Sequence, residues 1–290
     1  GSEMCIRDRI KIAGKNQTST AVTADGKLYT WGYNGYGQLG NGNTSNLYVP
    51  TEVMELENIV DVAVENNTII ALDSKGQVYS SGYNGYGNLG NNTTNGRNKF
   101  GKVIESIEEE TKEPTYLSNV KQIEAGNETT IAIKKDGTAV AWGYNGYGNL
   151  GLGDTNTRTL PVKVQALEKI TKIEASNVSS FAIDSNNKLW VAGYNGYGNL
   201  GDGTTSNRAT FTQNPILDEV ADVSASPVNS TIALLLDGTV WGFGNNTYNA
   251  LTNVGGAVPQ QLTSEEGSLS NITAINEGYY SGSVSYTHLT

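Results

Sequence analysis

A five-residue segment, Tyr-Asn-Gly-Tyr-Gly, occurs four times without change, and this repetition constrains the fold more than any other feature of the chain. The copies begin at residues 33, 83, 144 and 194, and a diverged fifth copy spans Asn245 to Asn249. The spacings of 50, 61, 50 and 51 residues exceed the helix pair of a solenoid repeat and match a unit of four β-strands. Equivalent loops of successive units should gather on one face, and function is expected there.

Each unit carries the same order of strand signals. An alternating apolar run comes first, and its period of two indicates a half-buried strand. These runs are Ile59–Val64, Val120–Ala125, Ile170–Ala175 and Val220–Ala225. A second strand rich in Thr, Ser and Ile ends at a two-residue turn such as Asp25-Gly26 or Asp136-Gly137, which predicts a tight hairpin.

A third strand carries the tryptophans and runs into the Tyr-Asn-Gly-Tyr-Gly loop. Stacking of neighbouring units should bury these side chains, which are Trp31, Trp142, Trp190 and Trp241. A weaker fourth strand is predicted at Pro50–Val53, Pro161–Val164 and Pro259–Leu262, where proline suits an edge strand or the first residue of a strand. The only helix-like segment is Ile104–Lys112.

The aligned units resemble the repeat of the regulator of chromosome condensation (RCC1) propellers. The shared pattern is Asp-Gly, a short spacer, Trp-Gly-x-Asn-x-x-Gly-Gln/Asn-Leu-Gly and a later proline. Residues 31–40 match it best, and residues 142–151 repeat it with Asn149 for Gln, while Ser81, Ala192 and Phe243 stand at the Trp position elsewhere. The resemblance implies an all-β propeller over residues 9–284, with five four-stranded blades plus a partial sixth in an incomplete ring. The units are placed at about 10–58, 59–119, 120–169, 170–219, 220–271 and 272–284.

Two departures from the family pattern carry expectations of their own. Family members usually place a His in the second strand, whereas this chain has hydroxyl residues there, which are expected to make structural hydrogen bonds. They are Thr18, Thr68, Thr129, Ser179 and Ser230. The family commonly closes seven blades, but only the opening strand of a sixth, Ile272–Val284, follows the five units. Open strand edges are therefore expected to promote self-association.

Residues 1–8 and 285–290 fit neither the repeat nor a linker, and they look like translated sequencing adapter from an environmental assembly. We therefore treat them as non-native and expect a bacterial, metagenomic source. The composition, rich in Asn, Thr, Gly and Tyr with little Lys, is often met in bacterial secreted or cell-surface proteins. The localisation itself stays unknown.

The chain offers little for catalysis. The only Cys is Cys5 and the only His is His288, so the repeats contain neither. This excludes Ser-His-Asp and Cys-His nucleophile systems, His-based zinc sites and disulfides from the repeats. Acidic residues such as Asp25 and Asp136 are explained by their turns. We predict no enzyme activity, no cofactor and no metal, although a carboxylate-dependent glycosidase or lyase needs only two acids and stays as a third reading.

Two surfaces are candidates for binding. The first tyrosines of the repeated segment, Tyr33, Tyr83, Tyr144 and Tyr194, should project from one end of the fold and form a recognition face, or else pack between units. The second tyrosines, such as Tyr36 and Tyr86, are expected to pack between blades. An acidic insertion within Gly96–Pro114 is a candidate partner loop through Glu105, Glu108, Glu109 and Glu110.

The net charge of −10 and pI near 4.7 argue against nucleic acid as a partner. The chain also has no apolar stretch of the roughly 20 residues that cross a bilayer. We therefore predict a non-catalytic binding or scaffold module that recognises a protein, or a glycan, through loops on one propeller face. The alternative is a guanine-nucleotide exchange factor for a small GTPase, an activity that the family resemblance implies. The sequence does not identify the partner or the blade number of a longer parent protein.

Overall fold

The computed structural model describes residues 9–251, 254–264, 267–278 and 281–286. Their regular secondary structure consists of β-strands, numbered β1 to β26 in chain order, without an α-helix. No helix in these ranges is therefore long and apolar enough to cross a membrane. The predicted non-native ends lie outside the described residues, except for Ser285 and Tyr286, which belong to the last strand.

Five antiparallel sheets of four strands follow one another along the chain, and each keeps its strands in sequence order. Sheet 1 contains β1 (Arg9–Lys15), β2 (Thr18–Thr23), β3 (Leu28–Gly32) and β4 (Leu47–Glu52). Sheet 2 contains β5 (Ile59–Val64), β6 (Thr68–Asp73), β7 (Val78–Gly82) and β8 (Arg97–Lys102). A separate hairpin of β9 (Ile104–Ile107) and β10 (Pro114–Tyr116) comes next.

The remaining sheets repeat this order. Sheet 3 contains β11 (Val120–Ala125), β12 (Thr129–Lys134), β13 (Ala139–Gly143) and β14 (Arg158–Lys163). Sheet 4 contains β15 (Ile170–Ala175), β16 (Ser179–Asp184), β17 (Leu189–Gly193) and β18 (Arg208–Gln213). Sheet 5 contains β19 (Val220–Ala225), β20 (Ser230–Leu235), β21 (Val240–Gly244) and β22 (Gly256–Gln261). Two hairpins end the described chain, β23 (Thr263–Ser264) with β24 (Gly267–Ser268) and β25 (Ile272–Glu277) with β26 (Gly282–Tyr286).

The all-β prediction with five four-stranded units and a partial sixth is confirmed. The partial unit is a two-stranded hairpin, β25 with β26, where the sequence had indicated one strand. In sheets 1, 3 and 5, where the sequence predicted a fourth strand at a proline, that strand begins earlier than predicted and the proline lies inside it. Pro50 falls where the pairing of β3 with β4 shifts register, between the Thr30–Thr51 and Gly32–Leu47 pairs. A bulge of this kind accepts a residue that lacks a backbone N–H.

The helix-like interpretation of Ile104–Lys112 is wrong, because β9 and a turn occupy this segment. Both ends of the insertion are tied to sheet 2, since Ile104 N donates to Gly90 O at 2.8 Å and Leu117 N donates to Val103 O at 2.9 Å. Val103 and Leu117 are fully buried beneath it. Because both ends of the insertion are fixed by these hydrogen bonds, the segment between them forms a hairpin whose acidic turn is exposed.

Contacts divide the chain into two compact units. Of the described residues, unit 1 comprises 9–136, 140–144 and 157–163, and unit 2 comprises 137–139, 145–156 and those from 164 to 286. Each unit has its own apolar core between neighbouring sheets. In unit 1 the core includes Val103, Leu117 and Trp142. In unit 2 it includes Phe181 and Phe243.

The prediction that all four tryptophans are largely buried holds fully only for Trp142, which has no exposed surface and donates its Nε1–H to Asn88 O at 2.9 Å. Trp31, Trp190 and Trp241 are half-buried. Trp190 and Trp241 stand two positions before the Trp142 equivalent, and their indole N–H groups bond to polar side chains of their own sheets. Trp31 stands at the same position in its unit as Trp142 and is still half-buried, so burial here depends on what packs against each strand rather than on residue type or position alone.

Replacing Trp142 with phenylalanine should lower the free energy of unfolding by about 1–2 kcal/mol. The change leaves Asn88 O without its buried donor and opens a gap beside Gly90, whose added Cβ would lie 3.0 Å from Trp142 Nε1. Trp241→Phe is the matched control at a half-buried position, with an expected loss of at most about 0.5 kcal/mol. Urea titrations of both variants check the difference. An equal loss would mean that the indole bond to Asn88 does not support the core.

Candidate binding face

A buried asparagine organises each Tyr-Asn-Gly-Tyr-Gly loop. Asn84 shows the pattern, since its Nδ2 donates to Asn91 Oδ1, Thr93 O and Asn95 O at 2.9–3.0 Å, and its Oδ1 accepts from Leu89 N at 2.8 Å. The equivalent residues are almost fully buried, namely Asn34, Asn145 and Asn195. One amide therefore holds both arms of the loop, and the loop keeps one conformation.

A glycine at the end of each third strand brings two loops together. Gly82 has a φ of +112°, and a Cβ added to it would lie 2.2 Å from Asn67 O. The next residue then bonds back, because Tyr83 N donates to Asn67 O at 2.9 Å. Tyr33 N donates to Gln17 O in the same way, at 2.8 Å. Each tyrosine loop thus lies beside the loop that joins the first two strands of its sheet, which we term the inner loop.

The hydroxyl residues of the second strands make the expected structural hydrogen bonds. Thr68 Oγ1 donates to Tyr83 O at 2.9 Å and accepts from Asn88 Nδ2 at 2.7 Å. Asn88 Nδ2 also donates to Tyr83 O at 2.9 Å. Ser179 and Asn199 repeat this arrangement in sheet 4. The hydroxyls therefore fix the backbone of the first tyrosine rather than face a ligand.

The tyrosines form runs of edge-to-face ring contacts, which we term the tyrosine face. In unit 1 the run passes through Tyr33, Tyr36, Tyr83, Tyr86 and Tyr144, with ring centroids 5.1–6.4 Å apart. In unit 2 it passes through Tyr147, Tyr194 and Tyr197, with centroids 5.2 and 6.1 Å apart. Adjacent rings are inclined by 63–78°. This is the preferred geometry of aromatic pairs, so the rings hold each other in place.

The first and second tyrosines differ in exposure. The first tyrosines, predicted to form the recognition face, are half-buried. Tyr33 lies across its own loop, since a Cβ added to Gly35 would come within 2.1 Å of the Tyr33 hydroxyl oxygen. Burial also raises the pKa of Tyr83. The loop thus requires glycine two residues after the first tyrosine because the ring covers that position.

The second tyrosines, which the sequence had placed between blades, are the more exposed members of the face. Their exposed fractions are 47% for Tyr36, 38% for Tyr86, 39% for Tyr147 and 49% for Tyr197. Each of these rings still contacts a first tyrosine at its edge. The exposure of the second tyrosines could have been predicted from the sequence. Each of these tyrosines lies between two glycines, which have no side chains to cover its ring.

A buried acid lies beneath the face in unit 1. Glu65 is 1% exposed, its Oε1 is 3.1 Å from Thr130 Oγ1 and its Oε2 is 3.3 Å from Asn88 Nδ2. Burial raises the pKa of Glu65 to about 8, with a further upward contribution from Glu128 and a downward one from Lys15. Glu65 is therefore mainly neutral at pH 7, and it is linked through Asn88 to the backbone that carries Tyr83.

The acidic insertion presents only part of its predicted set to solvent. Glu108, Glu109 and Glu110 are exposed at the turn of the β9–β10 hairpin. Glu105 is half-buried and forms an ion pair with Lys134 at 2.5 Å. Among the described residues, no three His, Cys, Asp or Glu side chains come together as a metal site. The hairpin turn is therefore an acidic surface, and none of the tyrosine ring contacts described above includes one of its residues.

Four-stranded sheets in sequence order, each with a loop held by an asparagine side chain between its third and fourth strands, define a repeat propeller. A family model for the RCC1-like domain matches residues 5–281, and the chain belongs to this family.

Several known proteins are similar to parts or all of this chain. The ultraviolet-B receptor UVR8 of Arabidopsis thaliana is 28% identical over 156 residues, which is 52% of this chain and 33% of the receptor. The human X-linked retinitis pigmentosa GTPase regulator is 29% identical over 157 residues, 53% of this chain and 15% of that protein. The chain thus spans a third or less of the length of these curated relatives.

Two solved structures share the fold over nearly the whole chain. Human WBSCR16 has a TM-score of 0.80 at 18% identity, covering 97% of this chain and 73% of that one. Prp20p of Saccharomyces cerevisiae has a TM-score of 0.78 at 21% identity, covering 97% and 69%. At these identities the similarity concerns the fold alone.

Proposed function

We propose that this chain is a non-catalytic binding module that recognises a protein partner through the tyrosine face. The observation that carries the proposal is the run of ring contacts in each unit, in which Tyr36 and Tyr86 of unit 1 and Tyr147 and Tyr197 of unit 2 each leave 38–49% of their surface exposed. Aromatic side chains that are both partly exposed and rigid are typical anchors of protein interfaces, because little side-chain entropy is lost on binding.

The loops beneath the rings support this role. Each tyrosine stands on a loop fixed by a buried asparagine amide, and the first tyrosine is bonded to the inner loop through its backbone N–H. A preorganised surface needs little reordering when it binds, which favours affinity. The face is also made of neutral groups although the chain carries a net charge of −10. Binding at this face should therefore depend weakly on salt concentration.

Protein partners are known for a structural relative. The crystal structure of Prp20p is described together with its binding to Gsp1p and histones, and another shows Kap60 bound to yeast RCC1. These partners were observed for the yeast proteins and are not assigned to this chain. The exchange-factor alternative draws only on this similarity of fold. A glycosidase or lyase has no specific observation in its favour, since Glu65 and Glu128 interact but Glu65 is only 1% exposed, so a binding module is the preferred function.

Affinity capture of a partner protein by the wild type and by a variant without the four second tyrosines, which we term the outer tyrosines, tests the proposal. The variant carries alanine at Tyr36, Tyr86, Tyr147 and Tyr197, and the control carries alanine at Lys75 and Lys135, which are exposed in turns at the opposite end of the sheets. A specific partner should be retained by the wild type and the control, and its affinity for the tyrosine variant should fall by at least tenfold, since a central aromatic anchor contributes about 1–3 kcal/mol. If every protein captured by the wild type is also held by the tyrosine variant, the proposal is wrong.

A further inference from the structure

A concave site in unit 1 lies between the inner loops of sheets 1 and 2. It is lined by Asn16, Gln17, Tyr33, Asn66 and Asn67 and has a volume of about 530 Å³. This volume falls within the range of about 300–1,000 Å³ that is usual for small-ligand sites. We term it the amide groove, because four of its five side chains end in a carboxamide.

Hydrogen bonds within the protein fix the walls of the groove, so the site is preorganised. Asn16 Nδ2 donates to Asn66 Oδ1 at 2.9 Å across the two sheets. Tyr33 N donates to Gln17 O at 2.8 Å, which places the half-buried ring against the first wall. Asn67 O accepts from Tyr83 N at 2.9 Å and so fixes the second wall. The spacing of the amides is therefore set by the fold.

The chemistry of the lining excludes several ligand classes. All five side chains are uncharged at neutral pH, so an anion or a cation gains no counter-charge inside the groove. An apolar ligand would have one ring to pack on, Tyr33, and would cover the carboxamides of Gln17 and Asn67 without offering them a partner, which costs free energy. A neutral ligand with many hydroxyl groups suits this lining, because a carboxamide offers donors and an acceptor side by side.

We propose that the amide groove binds a neutral saccharide. Sugar hydroxyls would bond to the carboxamides of Asn16, Gln17 and Asn67, and the C–H face of one sugar ring would pack on Tyr33. Asn66 would act mainly by position, since its oxygen already accepts from Asn16 and its Nδ2 donates to Asn127 Oδ1. The ligand class differs from that of the protein partner, and the groove does not depend on the exposed outer tyrosines.

Part of this arrangement recurs at the next step along unit 1. There Asn66 Nδ2 donates to Asn127 Oδ1, and Tyr83 N donates to Asn67 O at 2.9 Å. Glu128 follows Asn127 where the first groove has Gln17 and Asn67, so the fully uncharged lining belongs to the groove between sheets 1 and 2. In unit 2 the corresponding inner loop has Asn177 followed by Val178, and Asn177 Nδ2 donates to a backbone oxygen, that of Pro227. The amide pattern therefore ends there, and Asn177 supplies a matched control.

Isothermal titration with neutral hexasaccharides tests the proposal. The probes are linear oligomers of glucose, N-acetylglucosamine, mannose and xylose, with hexagalacturonate as the charged comparison. At least one neutral oligomer should bind with a millimolar or lower Kd, and more tightly than hexagalacturonate. Asn16→Ala and Gln17→Ala, both at exposed positions, should each weaken binding at least fivefold, and Asn177→Ala should leave the affinity as it is. The thermal melt of Gln17→Ala should stay unchanged, whereas that of Asn16→Ala should fall slightly, because Asn16 has a φ of +53° and bonds to Asn66.

Failure of this proposal can be told apart from failure of the proposed function. Absence of binding by every neutral oligomer at millimolar concentration overturns it, and so does binding that survives both Asn16→Ala and Gln17→Ala. If these two substitutions instead abolish capture of a protein partner, the groove belongs to the protein-binding face and the saccharide proposal is wrong. Tyr197→Ala, in unit 2, should weaken binding of the protein partner and leave the affinity for the saccharide unchanged.

Discussion

Replacing Glu65 with glutamine is expected to remove a loss of stability that the wild type suffers as pH rises from about 5 to 8. The folded state raises the pKa of Glu65 from 4.5 to about 8, chiefly because the carboxyl group is buried. The folded state therefore holds the proton more tightly than the unfolded state. This contribution to stability is complete below pH 4.5 and is lost as the pH approaches 8.

The expected size follows from the shift. Each pH unit between the two pKa values is worth about 1.4 kcal/mol, so the wild type should lose on the order of 4 kcal/mol relative to Glu65→Gln across this window. Urea titrations of both proteins at several pH values from 4.5 to 8.5 measure the difference. Burial also raises the pKa of Glu277 to about 7, but that group is present in both proteins and cancels in the comparison.

Glu109→Gln controls for the loss of one negative charge at an exposed position. The groups that face Glu65 are Lys15, Thr130, Asn88 and Glu128, and all of them remain in the variant. A difference between wild type and Glu65→Gln that stays constant from pH 5 to 8 would mean that Glu65 is ionised in the folded state throughout. The proposed link from a neutral Glu65 to the Tyr83 loop would then be wrong.

Replacing Asn84 with alanine is expected to lower the free energy of unfolding by about 3–4 kcal/mol. The amide of Asn84 makes the four loop hydrogen bonds described above, and its loss leaves Leu89 N buried without an acceptor. An orphaned buried donor costs about 1–3 kcal/mol, and the cavity and the freed loop add to this. Thr94→Ala, at an exposed position of the same loop, is the control and should change stability by less than about 0.5 kcal/mol.

Denaturant titration followed by tryptophan fluorescence checks this prediction. Asn84→Asp gives a second comparison. It keeps the acceptor for Leu89 N but points a carboxylate oxygen at Asn91 Oδ1, Thr93 O and Asn95 O in a buried site, so its loss should be at least as large as that of alanine. If Asn84→Ala costs no more than Thr94→Ala, the buried amide does not hold the loop, and the tyrosine face would lack the rigid support described for it.

The repeat could be predicted from the sequence because its signals are local. Alternating apolar runs such as Val120–Ala125 and turns such as Asp136-Gly137 specify strands and hairpins without reference to distant residues. The strand bounds of the structure agree with them. The role of Thr68 as a structural hydrogen-bond donor could also be predicted from the sequence, because the strand pattern fixes its position in the repeat.

Other features depend on contacts that no local pattern encodes. The partners of Glu65 are Asn88 and Thr130, which are 23 and 65 residues away in the chain. The exposure of Tyr86 depends on the direction of its ring, because Tyr83 stands in the same loop and is the more buried of the two. The segment from Ile104 became a hairpin because anchors to sheet 2 outweighed its helix-like composition. In each case tertiary packing decided between local alternatives.

The central claim is that the tyrosine face exists to bind rather than to hold the sheets together, and the stabilities of Tyr86→Ala and Tyr197→Ala test it most directly. Both rings are exposed, by 38% and 49%, and pack edge-to-face against other tyrosines. Each substitution should therefore lower the free energy of unfolding by about 1 kcal/mol or less, the value of an aromatic pair. A loss of about 3 kcal/mol or more in both variants, as for a buried side chain, would make the rings structural and contradict the claim.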